Sequence, residues 1–150
     1  MFPTRIDETR AFVPVTLAVL AISDTRTLET DNSGALLEEM IEKDGHRCVD
    51  RAVVTDDKDA IRAQVQKWID ERTIDVVITT GGTGFSGRDV TPEAIEPLFD
   101  KRMEGFSVLF HQYSATTIGT SSLQSRATAG LASGTFIFCL PGSKGACRDA

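Results

Sequence analysis

The run from Val15 to Ile22 is apolar at every position but Thr16, and so unbroken a run reads as a strand buried on both faces of a sheet. Ser23-Asp24-Thr25 ends it as a polar loop. Leu36, Leu37, Met40 and Ile41 then fall on one helical face, with Ser33 placed to cap that helix and Gly45 to end it. A second strand is expected over Arg47 to Val54. After Asp56 and Asp57, either of which can cap a helix, Ile61, Val65, Trp68 and Ile69 repeat at helical spacing, which puts Trp68 in the core. Ile74 to Thr80 is the third strand, interrupted among its β-formers only by Asp75. Strand and helix alternate, and that alternation predicts a Rossmann-like α/β fold: a three-layer α/β/α sandwich around a mostly parallel sheet.

The second half is less regular. Thr91 as N-cap, Pro92 at the first helical position and Glu93 at the positive end of the macrodipole start a helix that Pro97 limits. Phe106, Leu109, Phe110 and Tyr113 give the next helix a bulky apolar side, suited to an interface. Ile118 to Leu131 mixes small and polar residues and reads as a loop and a closely packed helix. Phe136 to Leu140 is a further strand, and Pro141-Gly142-Ser143 turns into a final helix expected to be incomplete at Ala150. Residues 1–150 read as one domain, with an extended arm over about the first dozen.

Composition narrows the partners more than the fold. A formal charge of −6 and a pI near 4.9 argue against nucleic acid and anionic membranes, which are bound chiefly through Lys and Arg. A phosphorylated ligand stays open, because loop amides, a local cation or Mg²⁺ can supply positive charge. Cys48, Cys139 and Cys147 match no zinc or redox spacing, and Cys139 reads as a buried small hydrophobe. His46 reads as a loop residue and His111 as a boundary or interface residue. Without a signal-peptide pattern or an apolar run of membrane-spanning length, a cytoplasmic location is expected.

The chemistry concentrates after the third strand. Thr79-Thr80-Gly81-Gly82-Thr83-Gly84 leaves the carboxyl end of a strand, where open α/β sheets bind ligands and glycine-rich backbone can cradle phosphate. Gly82 to Gly87 spells GxGxxG, yet the next helix starts only at Thr91, whereas a dinucleotide fingerprint opens its helix directly; a dinucleotide-dependent oxidoreductase is therefore a remote alternative. No GxxxxGK[ST] is present. Right-handed crossovers bring the ends of the first three strands, and of the last if it is parallel, to one crevice lined by Ser23, Asp24, Asp56, the glycine loop and Ser143. Carboxylates beside a phosphate cradle call for a cation between them, so Asp56 and Asp89 are the candidate Mg²⁺ ligands. Against that stand a helix cap for Asp56 and an ion pair with Arg88 for Asp89.

TTGGTG at Thr79–Gly84, RDVTPEA at Arg88–Ala94, EGF at Glu104–Phe106, IGTSSLQSRATAG at Ile118–Gly130 and LPGS at Leu140–Ser143 resemble, in this order and over nearly the whole chain, the MoaB/MogA family of molybdenum cofactor biosynthesis, its MoaB branch most closely. The resemblance implies a molybdopterin-binding fold. It also implies that Asp56 and Asp89 are the catalytic carboxylates of molybdopterin adenylylation, with ATP as co-substrate and Mg²⁺ as cofactor. Both carboxylates are kept here, which favours an active enzyme over a non-catalytic molybdopterin carrier or scaffold. Phosphate and substrate binding would fall to Thr80, Gly81, Gly82, Thr83, Gly84, Arg88, Thr91 and Glu93, with Ser23 and Asp24 beside them. Ser125, Arg126, Pro141, Gly142 and Ser143 would serve the pterin side. A homo-oligomer, trimer or hexamer, and a protein partner for molybdate insertion are further implications.

Overall fold

The computed structural model describes residues 5–150. The expected arm falls partly on residues 1–4, outside the described residues; residues 5–14 are exposed and carry no helix or strand, with Phe12 packed against His46 at 5.1 Å between ring centroids.

Six strands form one sheet: β1 (Thr16–Ile22), β2 (Arg47–Val54), β3 (Val76–Thr80), β4 (Lys101–Arg102), β5 (Thr128–Ala132) and β6 (Thr135–Leu140). Their order is β2-β1-β3-β6-β5-β4. β2, β1, β3 and β6 run parallel, while β5 and β4 add an antiparallel edge. The helices are α1 (Asn32–Lys43), α2 (Lys58–Asp70), α3 (Thr91–Ile95), α4 (Glu104–Ile118) and α5 (Lys144–Asp149). The three-layer architecture follows from β1, whose successive side chains point to opposite faces. Ala18, Leu20 and Ile22 meet Ile61, Val65, Trp68 and Ile95 from α2 and α3, and Leu17 and Val19 meet Leu37, Ile41 and Cys147 from α1 and α5. Trp68 is fully buried and donates Nε1–H to Asp50 Oδ2 at 2.9 Å.

Four expectations change. Asp31 caps α1, accepting from Gly34 N at 2.9 Å, while Ser33 sits in the first turn. Asp31 prevails because it also pairs with Arg51 Nη2 at 3.2 Å, and a Cβ at position 34 would come within 2.0 Å of its carboxylate. Val90, not Thr91, holds the cap position of α3, since the Thr91 hydroxyl is engaged elsewhere. Phe106 and Phe110 turn inward, Phe106 edge-on to Phe138, so the large exposed apolar side chains of α4 are Val108, Leu109 and, at its end, Ile118. Part of the stretch expected as loop and helix is the strand β5, preceded by a 3₁₀ turn over Gly119–Gln124. Its small residues are forced by packing: a Cβ on Gly130 would lie 2.5 Å from the Phe99 ring.

Candidate functional site

The parallel strands place four chain segments on one rim: Ser23 and Asp24 after β1, Asp56 after β2, the glycine loop after β3, and Pro141-Gly142-Ser143 after β6. Two backbone bonds extend the ladders into this rim, Ser23 N to Val54 O and Gly81 N to Leu140 O, both 2.9 Å. Side chains then tie the segments together. Thr80 Oγ1 donates to Pro141 O at 3.0 Å, Ser33 Oγ donates to Gly142 O at 2.8 Å, and Ser143 caps α5. Asp31, Ser33 and Arg51 were not expected to matter here; the only sequence signal was a Ser near a helix start.

In the glycine loop each carbonyl is taken by the protein. Gly81 O accepts from Thr91 Oγ1 at 2.8 Å and Gly82 O from Thr91 N at 3.0 Å. Thr83 O accepts from Arg126 N, and Gly84 O from Arg126 Nε, both at 2.8 Å. In a trans peptide the next N–H points away from the carbonyl. The N–H groups of Gly82, Thr83, Gly84 and Phe85 therefore face away from these partners, and none donates to a protein acceptor among the described residues. Gly81 and Gly82 hold φ of +105° and +71°, and a Cβ would lie 2.4 Å from Ile22 O at position 81 and 2.2 Å from Thr91 Oγ1 at position 82. Glycine is required there by both conformation and space. The GxGxxG spelling carries no fingerprint geometry, because Ser86–Asp89 form a turn and α3 has only five residues.

Two carboxylates flank the loop. A Cβ at Gly82 would lie 3.4 Å from Asp56 Oδ1, and one at Gly84 would lie 2.7 Å from Asp89 Oδ2. The competing roles for both have gone to neighbours. Asp57 caps α2 through Ala60 N at 2.8 Å, and Arg88 forks onto Asp24 at 2.9 and 2.8 Å. Asp56 accepts no hydrogen bond from another side chain among the described residues, and only the Asp24 backbone amide approaches it as a donor; Asp89 Oδ2 accepts from Ser86 N and Oγ, leaving Oδ1 free. Burial, then the neighbouring charge of Asp24, raises the Asp56 pKa above the ordinary carboxylate value, with Asp89 adding to the effect. Asp24 is shifted the other way by the Arg88 hydrogen bonds and by the Asp56 amide, 3.0 Å away.

A donor set of like-charged carboxylates, one of them unpaired, fits a divalent cation. Among the described residues no group of three or more His, Cys, Asp or Glu side chains is arranged to hold a metal, so Mg²⁺ here would draw its remaining ligands from substrate oxygens and water.

Two cavities open on the rim and share Gly81 and Gly142 as a wall. The larger, about 380 Å³, lies between the glycine loop, the end of α4 and the Pro141–Ser143 turn, with Asp89 and Ser125 in its lining. Ser114, Ser122 and Gln124 also line it and were missed, because nothing in their spacing marks them. The smaller, about 180 Å³, is bounded by Ser23, Arg26, Asn32 and Ser33. Glu93 and Arg126 form an ion pair beneath the loop and line neither cavity.

The profile of the family described as probable molybdopterin binding domain matches residues 18–150. The chain is 48% identical over 139 residues to molybdenum cofactor biosynthesis protein B of Escherichia coli (strain K12), covering 93% of this chain and 82% of that protein. It is 46% identical over 139 residues to the protein of the same name from Staphylococcus aureus (strain COL), covering 91% and 82%. A crystal structure of a molybdenum cofactor biosynthesis protein B superposes with a TM-score of 0.90 at 42% identity, covering 93% of this chain and 88% of that one. The tungsten cofactor synthesizing protein MoaB of Pyrococcus furiosus gives 0.83 at 35% identity, with 93% and 89% covered.

Proposed function

The chain belongs to the probable molybdopterin binding domain family, and from that membership and the rim geometry we propose that it binds molybdopterin and adenylylates it with Mg-ATP, releasing pyrophosphate. Its role in molybdenum cofactor biosynthesis rests on the relatives; the adenylylation step rests on the site. One observation carries it: among the described residues Asp56 and Asp89 form no ion pair, and they stand on either side of a loop whose Gly82–Phe85 amides are unpartnered.

In the proposed reaction an oxygen of the terminal phosphate of molybdopterin attacks the α-phosphorus of ATP. The new P–O bond forms as the bond to the β-phosphate breaks, and the electron pair leaves with pyrophosphate. The nucleophile is already ionised, so no residue need take a proton. Mg²⁺, when bound, would neutralise charge on the α-phosphate and the departing pyrophosphate. The Gly82–Phe85 amides would hold phosphate oxygens, while Asp56 and Asp89 set the position of the charge and the loop aligns the reacting atoms. Thr91 braces the loop directly and Glu93 through Arg126, Thr80 ties it to the Pro141–Ser143 turn, and Arg88 and Asp24 close the rim beside it. Ser23, Ser125, Pro141, Gly142 and Ser143 line the cavities that would receive the two substrates. Val108 and Leu109, more than half exposed on α4, are the surface that a homo-oligomer would bury.

The test is anaerobic incubation with molybdopterin and Mg-ATP, scoring adenylylated pterin and pyrophosphate against Asp56→Asn and Asp89→Asn. Product lost in both variants supports the transferase. Pterin binding without any adduct in the wild-type protein replaces it with a carrier.

A further inference from the structure

We propose that Arg126 is the positioning residue of the glycine loop: its guanidinium, which lines neither rim cavity, fixes the Gly84–Phe85 peptide plane that leaves the Phe85 amide free, while its backbone N–H fixes the Thr83–Gly84 plane. Arginine carries five N–H donors in a rigid fork. Nε donates to Gly84 O at 2.8 Å, Nη2 donates to Asp89 O at 3.0 Å and to Glu93 Oε2 at 3.4 Å, and Nη1 pairs with Glu93 Oε1. The backbone adds Arg126 N to Thr83 O at 2.8 Å. Phe85 covers the guanidinium, its ring centroid 5.5 Å from Cζ, in a cation–π contact.

Every one of these contacts lies on the segment from Thr83 to Glu93. Glycine at position 84 has no Cβ to resist rotation, so without the guanidinium the Gly84–Phe85 peptide is free to turn. Asp89 would lose the bond that holds its carbonyl, keeping only the one from its N–H to Ser86 O. The anchor is itself held, since His111 Nε2 lies 3.0 Å from Ser125 O and joins the clamp to α4. Glu93 completes the clamp: its carboxyl is held below the usual range, first by the hydrogen bond from Arg126. Lysine could keep the charge opposite Glu93 but not the fork that reaches Gly84 O and Asp89 O together.

The effect on turnover rests on the adenylylation reading, whereas the effect on the loop does not, so both are measured. Amide resonances of Gly82, Thr83, Gly84 and Phe85 are followed by NMR in wild type, Arg126→Ala and Arg126→Lys, with and without guanidinium at non-denaturing concentration. Inorganic pyrophosphate binding and adenylylation are measured on the same samples. Single sharp resonances are expected in wild type, with broadening or splitting in both variants, reversed by guanidinium in Arg126→Ala alone. Adenylylation should fall about 100-fold, mostly in kcat, and recover in parallel. Unchanged loop resonances in a folded Arg126→Ala, or changes that guanidinium does not reverse, overturn the clamp. Should Arg126→Ala fail to fold, the same resonances in Arg126→Lys decide it: broadening supports the clamp and wild-type spectra overturn it. Loop changes as expected in a protein that never adenylylates would leave the clamp standing and sink the transferase.

Discussion

The turns of the loop after β1 are closed by its own side chains, whereas the glycines after β3 are held from outside. Between Ser23 and Asp31, Ser23 Oγ accepts from Thr25 N and Arg26 N at 3.2 Å, and Thr30 Oγ1 accepts from Thr27 N at 2.9 Å. Such local side-chain bonds close turns with no help from the fold. Between Gly81 and Phe85 the partners come from Thr91, Arg126 and Leu140, and the Gly82–Phe85 amides stay unpaired; only further on do Ser86 and Asp89 bond to each other. Bracing from afar lets the second loop expose donors without collapsing onto them. The two loops meet where Arg88 forks onto Asp24.

The strongest way to break this contrast is through the carboxylates. Asp89→Asn and Asp56→Asn are each expected to lower adenylylation by about two to three orders of magnitude while molybdopterin affinity changes little; equal turnover in a steady-state assay would refute the metal-site assignment. Next comes backbone. Gly81→Ala places a Cβ 2.4 Å from Ile22 O at a φ of +105° and should cost about 2–4 kcal/mol in chemical denaturation. Ser23→Ala, which removes only local turn bonds, should cost about 1 kcal/mol. If the two losses are equal, the loops are braced alike. Gly82→Val should abolish ligand binding, and its Cβ meets Thr91 before it meets any ligand, so binding must be normalised to folded protein.

The smallest effects are electrostatic and opposite in sign. The Asp56 pKa is raised in the folded state, so its ionisation opposes folding as pH climbs from the ordinary value of about 3.9 through the raised one. Asp56→Asn should therefore raise Tm at pH 7, by no more than the ~4 °C that about 1 kcal/mol gives in a chain this long, and leave it unchanged in acid. The Asp24 pKa is lowered, so its contribution is present above the ordinary value and disappears as pH falls through the folded one. Because that pair is exposed, Asp24→Asn should leave the neutral-pH melt nearly unchanged.

The parallel half of the molecule was legible because its strands are unbroken apolar runs. The run of β1, the bounds of β2 and the period of α2 all stand as read. β5 was not legible: Thr128-Ala129-Gly130-Leu131-Ala132 has the small residues of a loop, and what makes it a strand is its antiparallel pairing with β6 and β4, with Phe99 packed where a Gly130 side chain would lie. The rim was legible as a set of strand ends, and β6 running parallel to β3 brings Ser143 to it. Hidden in the sequence was the division of labour among adjacent carboxylates. Asp56 and Asp57 are chemically alike, and only the fold sends Asp57 to a helix cap. Arg88 likewise bypasses its sequence neighbour Asp89 for Asp24.

Any open sheet risks recruiting a stray chain along its last strand. Here β4 ends one side after two residues, Lys101 and Arg102, both exposed and both cationic, too short to template a partner strand and repelling a second copy of itself. On the far side β2 is long, yet it carries Arg47, Asp50 and Arg51. A chain of modest net charge can thereby resist edge-to-edge aggregation during assembly, with its protection built into the two rims of the sheet rather than spread over the whole surface.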